Sequence, residues 1–256
     1  MFGLFRPSCP CDPAAKDWVE RRLQWLVEEF HNTAFTGRQV VRPTPDFFPD
    51  PYDGSKKAVR TLLDRVCEYM DVVPDLVALK FIQNAGQLWL VNEAGQALPD
   101  AAGTYEEGKR KFIIRIARTE LGDPMGLVGT MAHELAHARL LGEGRIMREE
   151  FDNELLTDLT TVAFGLGVFL ANTPRNWDSH LKKWPDSDLN RPEYMSPPMF
   201  GHALAHVAWH AGEEWPDWAG YLNWSVRGEF KQALRFLQKT GDSWFRPKGW
   251  RRATGG

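Results

Sequence analysis

Residues 131–158 read MAHELAHARLLGEGRIMREEFDNELLTD, and the two ends of that stretch decide how the chain is read. His133 and His137 stand four residues apart. A helix therefore carries both imidazoles on one face, a turn apart, where they can address one ion. Glu134 lies between them, too offset to be a third ligand but able to take a proton from a water held at that ion. The third ligand has to come from elsewhere. At the far end, Asn153-Glu154-Leu155-Leu156-Thr157-Asp158 sets Glu154 and Asp158 at the same helical spacing, so two acids share a face.

HExxH followed by NExxxD resembles the gluzincin metallopeptidases, of which thermolysin is the familiar member. The resemblance covers residues 131–158. It implies Zn²⁺ held by His133, His137 and Glu154, with Glu134 as general base. It makes Asp158 the group that orients His133, with Asn153 a lesser residue behind the ligands. The zincin-like fold and a peptide or protein substrate are implied with it. Gluzincins commonly stabilise the oxyanion of the tetrahedral intermediate with a downstream His or Tyr, for which His202 and Tyr194 are the candidates.

HExxH alone recurs by chance, so its surroundings carry the weight. Asp123-Pro124 supplies an N-cap and a first-turn proline, Met125 to Leu141 holds few charges, and Gly142 supplies a stop. The motif is thus expected inside a buried helix. Polar groups buried there without partners cost roughly 1–3 kcal/mol each, and a zinc ion would be one partner. Ordinary core histidines are the alternative. A closed structural zinc site is a further one, but it would want a fourth Cys or His rather than a carboxylate poised on water.

With 256 residues, 43% of them hydrophobic, the chain can bury a sizeable core and is expected to form one domain with three parts. Residues 1–122 read as helices and a small sheet, 123–172 as the zinc-bearing helices, and 173–256 as an aromatic helical lobe. A net charge of −3 and a pI near 6.2 disfavour a nucleic-acid partner. The longest apolar run, Leu159 to Ala171, is broken by Thr and Gly and is too short to span a bilayer. The opening MFGLFRPSCPCD shows no signal-peptide core, so the expected location is cytoplasmic. Cys9, Cys11 and Cys67 read as reduced structural thiols, a joint metal site being the alternative.

Hydrophobic spacing predicts helices from Pro13 to Phe30, from Ser55 to Met70 with Ala58, Leu62, Leu63, Val66 and Tyr69 inward, from about Glu150 to Ala171, from Pro197 to Ala211 and from Val226 to Lys239. RPTPDFFPDPYDG, residues 42–54, reads as an ordered loop pinned by its aromatics. Strand-forming runs at Leu76–Ile82 and Gln87–Val91 flank Asn84-Ala85-Gly86 and read as a hairpin. The run Lys111–Thr119 reads as the last strand before the HExxH helix, with Ile114 to Ala117 either an edge that pairs with substrate or part of a central strand. Arg145 reads as a surface cation, or else as a holder of a substrate carboxylate or a partner of Asp152. His202, His206 and His210 form one stripe, read as a polar helix face or a second metal site. The last third, with eight of the eleven tryptophans, is expected to put most of them in a core, and WFRPKGWRRATGG to be a disordered tail.

The fold class is therefore α+β: a zincin-like molecule with a small mixed sheet, two central zinc-bearing helices and a helical, Trp-rich C-terminal lobe. The expected function is zinc-dependent hydrolysis of peptide bonds. The alternative is a zincin-fold regulatory or peptide-binding protein in which cleavage is slow or absent.

Overall fold

A computed structural model describes residues 7–31, 33–83, 90–91, 97–98, 105–107, 112–173 and 181–247. The chain is α+β and mostly helical. It divides into two units, one built from residues up to Val40 together with residues from Asp152 onward, the other from Val41–Phe151.

In the Val41–Phe151 unit, α2 (Lys56–Tyr69) starts at Ser55, whose Oγ accepts the Ala58 N–H at 3.1 Å. Its buried face is Val59, Leu63, Val66 and Cys67, rotated from the expected one: Ala58 and Leu62 stay half-buried. The Pro-rich loop before α2 is held by two tyrosine hydroxyls, one from α2 and one its own. Tyr69 donates to the Phe47 carbonyl at 2.6 Å and Tyr52 to the Leu121 carbonyl at 2.9 Å.

Strand β1 (Val77–Ile82) runs parallel to β5 (Phe112–Ala117) in unbroken register from Val77 opposite Phe112 to Ile82 opposite Ala117. On its other side β5 pairs antiparallel with β4 (Tyr105–Glu107), ending at Ile114, so β5 is the central strand of a mixed sheet ordered β1-β5-β4. Two expectations change. The pairing of β5 with β4 covers Ile114, which takes that residue out of the proposed substrate edge. The expected hairpin partner of β1 pairs elsewhere: β2 (Leu90–Val91) is antiparallel to β3 (Ala97–Leu98), while Asn84-Ala85-Gly86 lies outside the described residues. From β5 a short turn leads into α3 (Pro124–His137), which packs on α2.

The other unit is helical. Asp12 caps α1 (Pro13–Glu29) by accepting the Ala14 and Ala15 N–H groups, both at 2.9 Å. α1 packs on α4 (Asn153–Ala163) and α6 (Pro197–Ala211), and α6 packs on α7 (Trp224–Thr240). At Gly201 a Cβ would meet the Glu229 carbonyl carbon at 2.7 Å, so only glycine admits the close approach of α7 to α6. The helix expected over 150–171 is broken into α4 and α5 (Gly167–Asn172). Between them Gly165 sits at φ +88° with its missing side chain facing the Gln39 carbonyl. β6 (Lys182–Lys183) and β7 (Asn190–Arg191) form a two-stranded ribbon.

The aromatic lobe differs from its expectation. Trp184 and Trp218 are buried, but Trp215, Trp224 and Trp244 are exposed. Within the basic tail Phe245 is fully buried against Phe35, His206 and His210; residues 248–256 lie outside the described ones. Among the described residues no helix is long and apolar enough to cross a membrane.

Candidate metal centre

Helix α3 begins where Asp123 accepts the Gly126 N–H at 3.0 Å with Pro124 in the first turn, as its sequence requires. From Leu127 to His137 every residue is buried. His133, Glu134 and His137 are 7%, 4% and 8% exposed. The two imidazoles meet edge to face, ring centroids 4.8 Å apart, on one side of the helix.

The α-helix ends at His137, earlier than expected, and continues as a wider π-turn over Ala138–Gly142. Arg139 in that turn explains the anchorage. Its guanidinium donates to the Met70 and Asp71 carbonyls at 3.0 and 2.8 Å, satisfying the C-terminus of α2, and pairs with Glu143 at 2.7 Å. The end of the HExxH helix is thereby fixed to α2 by a buried cation. Arg145 pairs with Glu143 at 2.8 Å, the surface role expected of it.

Glu154 is the second residue of α4, and the start of that helix is clamped from α1. Asp152 has no exposure and accepts from Trp18 Nε1 at 2.7 Å and from both arms of the Arg22 fork at 2.7 and 2.9 Å. A bidentate buried pair holds direction as well as position, so Asn153 and Glu154 leave a fixed point. Both are half-buried. Asp158, a turn on, is fully buried, and its Oδ2 accepts the Met195 N–H at 2.9 Å. This bond ties the backbone beside Tyr194 to α4. It brings Asp158 and Tyr194 into one neighbourhood that their sequence separation does not announce.

His202 does not suit the oxyanion role expected of it. It has no exposure; its Nε2 lies 3.1 Å from Glu20 Oε1 and its Nδ1 3.7 Å from Cys9 Sγ. With both ring nitrogens engaged and no access, it cannot meet an oxyanion. The stripe it belongs to is no solvated face either, since His206 is fully buried and His210 half-buried. Burial dominates their chemistry: it pushes His206 down to about 4 and His210 to about 3.

Glu20 is the residue that sequence reading missed. It sits on the buried face of α1 between Val19 and Leu23, where an acid needs partners. Lys16 lies 3.1 Å from Oε1 and the Trp244 N–H donates to Oε2 at 2.7 Å. Burial alone would raise its carboxyl, yet the His202 imidazole, the nearby His206 ring and the Trp244 N–H carry it well below the usual range. The signal available was an acid in register with the apolar stripe of α1.

Compared with family models, curated proteins and solved structures, the chain finds no match in any of the three.

Proposed function

We propose that the chain is a zinc-dependent metallopeptidase of the gluzincin kind on a zincin-like fold. Its ligands would be His133, His137 and Glu154. One observation carries the reading: a helix buried over eleven consecutive residues nevertheless holds two imidazoles and a carboxylate in HExxH order, all under a tenth exposed. Desolvating such groups is costly unless something charged or hydrogen-bonding awaits them. A cation facing the imidazole edges offsets that cost. The donor set of two imidazoles and a carboxylate fits zinc.

When bound, zinc supplies a Lewis acid that lowers the pKa of water toward ~7 and polarises a carbonyl. The chain's own groups do the rest. Glu134 accepts the proton of the attacking water and returns it to the leaving amine, so a single carboxylate serves as base and then acid. As the resemblance implies, Asp158 would orient His133 and fix that ring's tautomer. Asn153 supports the ligand end of α4. With His202 unsuited to it, the Tyr194 hydroxyl is the remaining donor for the oxyanion. The substrate is a peptide bond in a peptide or protein.

Glu134→Gln and Glu154→Gln test the reading together. The first keeps the shape of the base but cannot take a proton, so zinc stays while hydrolysis collapses. The second replaces an anionic ligand with a weaker neutral oxygen, so zinc occupancy falls and activity with it. Elemental analysis beside cleavage of a mixed peptide library reads both. Loss of zinc from Glu134→Gln with retention in Glu154→Gln would reverse the two roles. A zinc-loaded wild type that cleaves nothing would favour the peptide-binding alternative.

A further inference from the structure

We propose a second metal site, in which Glu20, His202 and His206 hold one divalent first-row cation as a structural tie between α1 and α6. Each of the three offers a ligand atom, and these lie within 4.8 Å of one another. All three side chains are fully buried. Glu20 Oε1 is 3.1 Å from His202 Nε2 and 3.5 Å from His206 Nε2. Those separations bracket the edge of about 3.3 Å that tetrahedral bonds of ~2.0–2.1 Å generate.

His206 is the independent sign. Neither of its ring nitrogens makes a hydrogen bond among the described residues, Glu20 Oε1 at 3.5 Å being a proximity only, although the ring is wholly out of solvent. A metal bond at Nε2 accounts for one of them. The other members are already oriented as ligands need. Cys9 Sγ stands at the far nitrogen of His202, at 3.7 Å, and the Trp244 N–H occupies Oε2 of Glu20, leaving Oε1 to face the imidazoles. His202 and His206 repeat the i,i+4 spacing of His133 and His137, again on a buried helix. Two imidazoles and a carboxylate suit zinc or its neighbours. With no exposed ligand, the ion would meet no substrate, so the role is a tie between helices even though three protein ligands leave one tetrahedral position to a non-protein ligand.

The rival cation is Lys16, whose ammonium lies 3.1 Å from Glu20 Oε1. It can neutralise the carboxylate but does nothing for His206. It also reaches Asp242 Oδ1 at 3.4 Å, so a second carboxylate is at hand when a dication takes Oε1.

Zinc titration of the full chain, with a chelator competing, decides between them. Wild type is expected to bind two equivalents, His206→Asn one, and His133→Ala one. Lys16→Met is expected to tighten the equivalent that His206→Asn removes by about tenfold, because a competing charge is gone. Thermal melting of each variant confirms that it is folded, and Lys16→Met keeps the test open if His206→Asn is not. A single equivalent that survives His206→Asn, or a Lys16→Met chain that binds no more tightly and only loses stability, overturns the proposal in favour of the ammonium. One equivalent that vanishes in His206→Asn but survives His133→Ala would uphold this site and refute the catalytic one.

Discussion

Asp158 gives one oxygen to the Met195 N–H and has no solvent around the other. Asp158→Asn can still accept that N–H through its amide oxygen, so the fold should persist. Zinc affinity or peptidase rate should fall roughly 10- to 100-fold if the residue orients His133, as competition against a chelator would show. Glu120, in the turn before α3, makes a second prediction. Burial, with Asp123 beside it, pushes its carboxyl up to about 7. Between the ordinary value of 4.5 and about 7 the folded chain holds the proton that the unfolded chain has lost, so stability falls as pH rises through that window. Glu120→Gln should match wild type in urea unfolding near the bottom of the window and exceed it above the top. Legibility at this scale followed sequence distance. HExxH announces itself within five positions, whereas Glu20 meets His202 across 182 residues and Cys9 meets it across 193, distances over which no local pattern carries information.

Helix beginnings were legible at Ser55 and Asp123, because capping is decided within four residues, and less so at α4 and α7, which start at Asn153 and Trp224. Asp12, Ser55, Asp123 and Asn223 each accept an N–H of the first turn. Sheet order was not, because β1 and β5 join through residues far apart in the chain, and an apolar run names no partner. The break between α4 and α5 was hidden for a related reason. Apolar periodicity continues through it, and what stops the helix is Gly165 turning left-handed against the Gln39 backbone. Gly165→Ala would place a Cβ 2.4 Å from that carbonyl oxygen and hold alanine at an unfavourable φ. A loss of roughly 1–3 kcal/mol is expected in denaturant unfolding. A neutral result would mean that the 34–40 segment yields easily.

At the scale of the whole molecule, the helical unit is discontinuous: the chain leaves it at Val40 and returns at Asp152. Its α1 rests on α4 and α6, and α6 on α7. Ending the chain at Asn223 removes α7 and the Trp244 amide that holds Glu20. Amide exchange should then lose protection in α1, α4 and α6 while α2, α3 and β5 keep theirs; a uniform loss would show one cooperative block. The same discontinuity has a consequence for biosynthesis. A ribosome releases α1 well before its partners α4 and α6, and its apolar stripe is not fully covered until α6 has emerged, some 170 residues later at ~5–20 residues per second. For that interval of roughly ten to thirty seconds the nascent chain displays Trp18, Leu23, Leu26 and Val27 with part of their cover still to be made. A helix made long before its partners is completed late, and it is there that a chaperone would find its purchase.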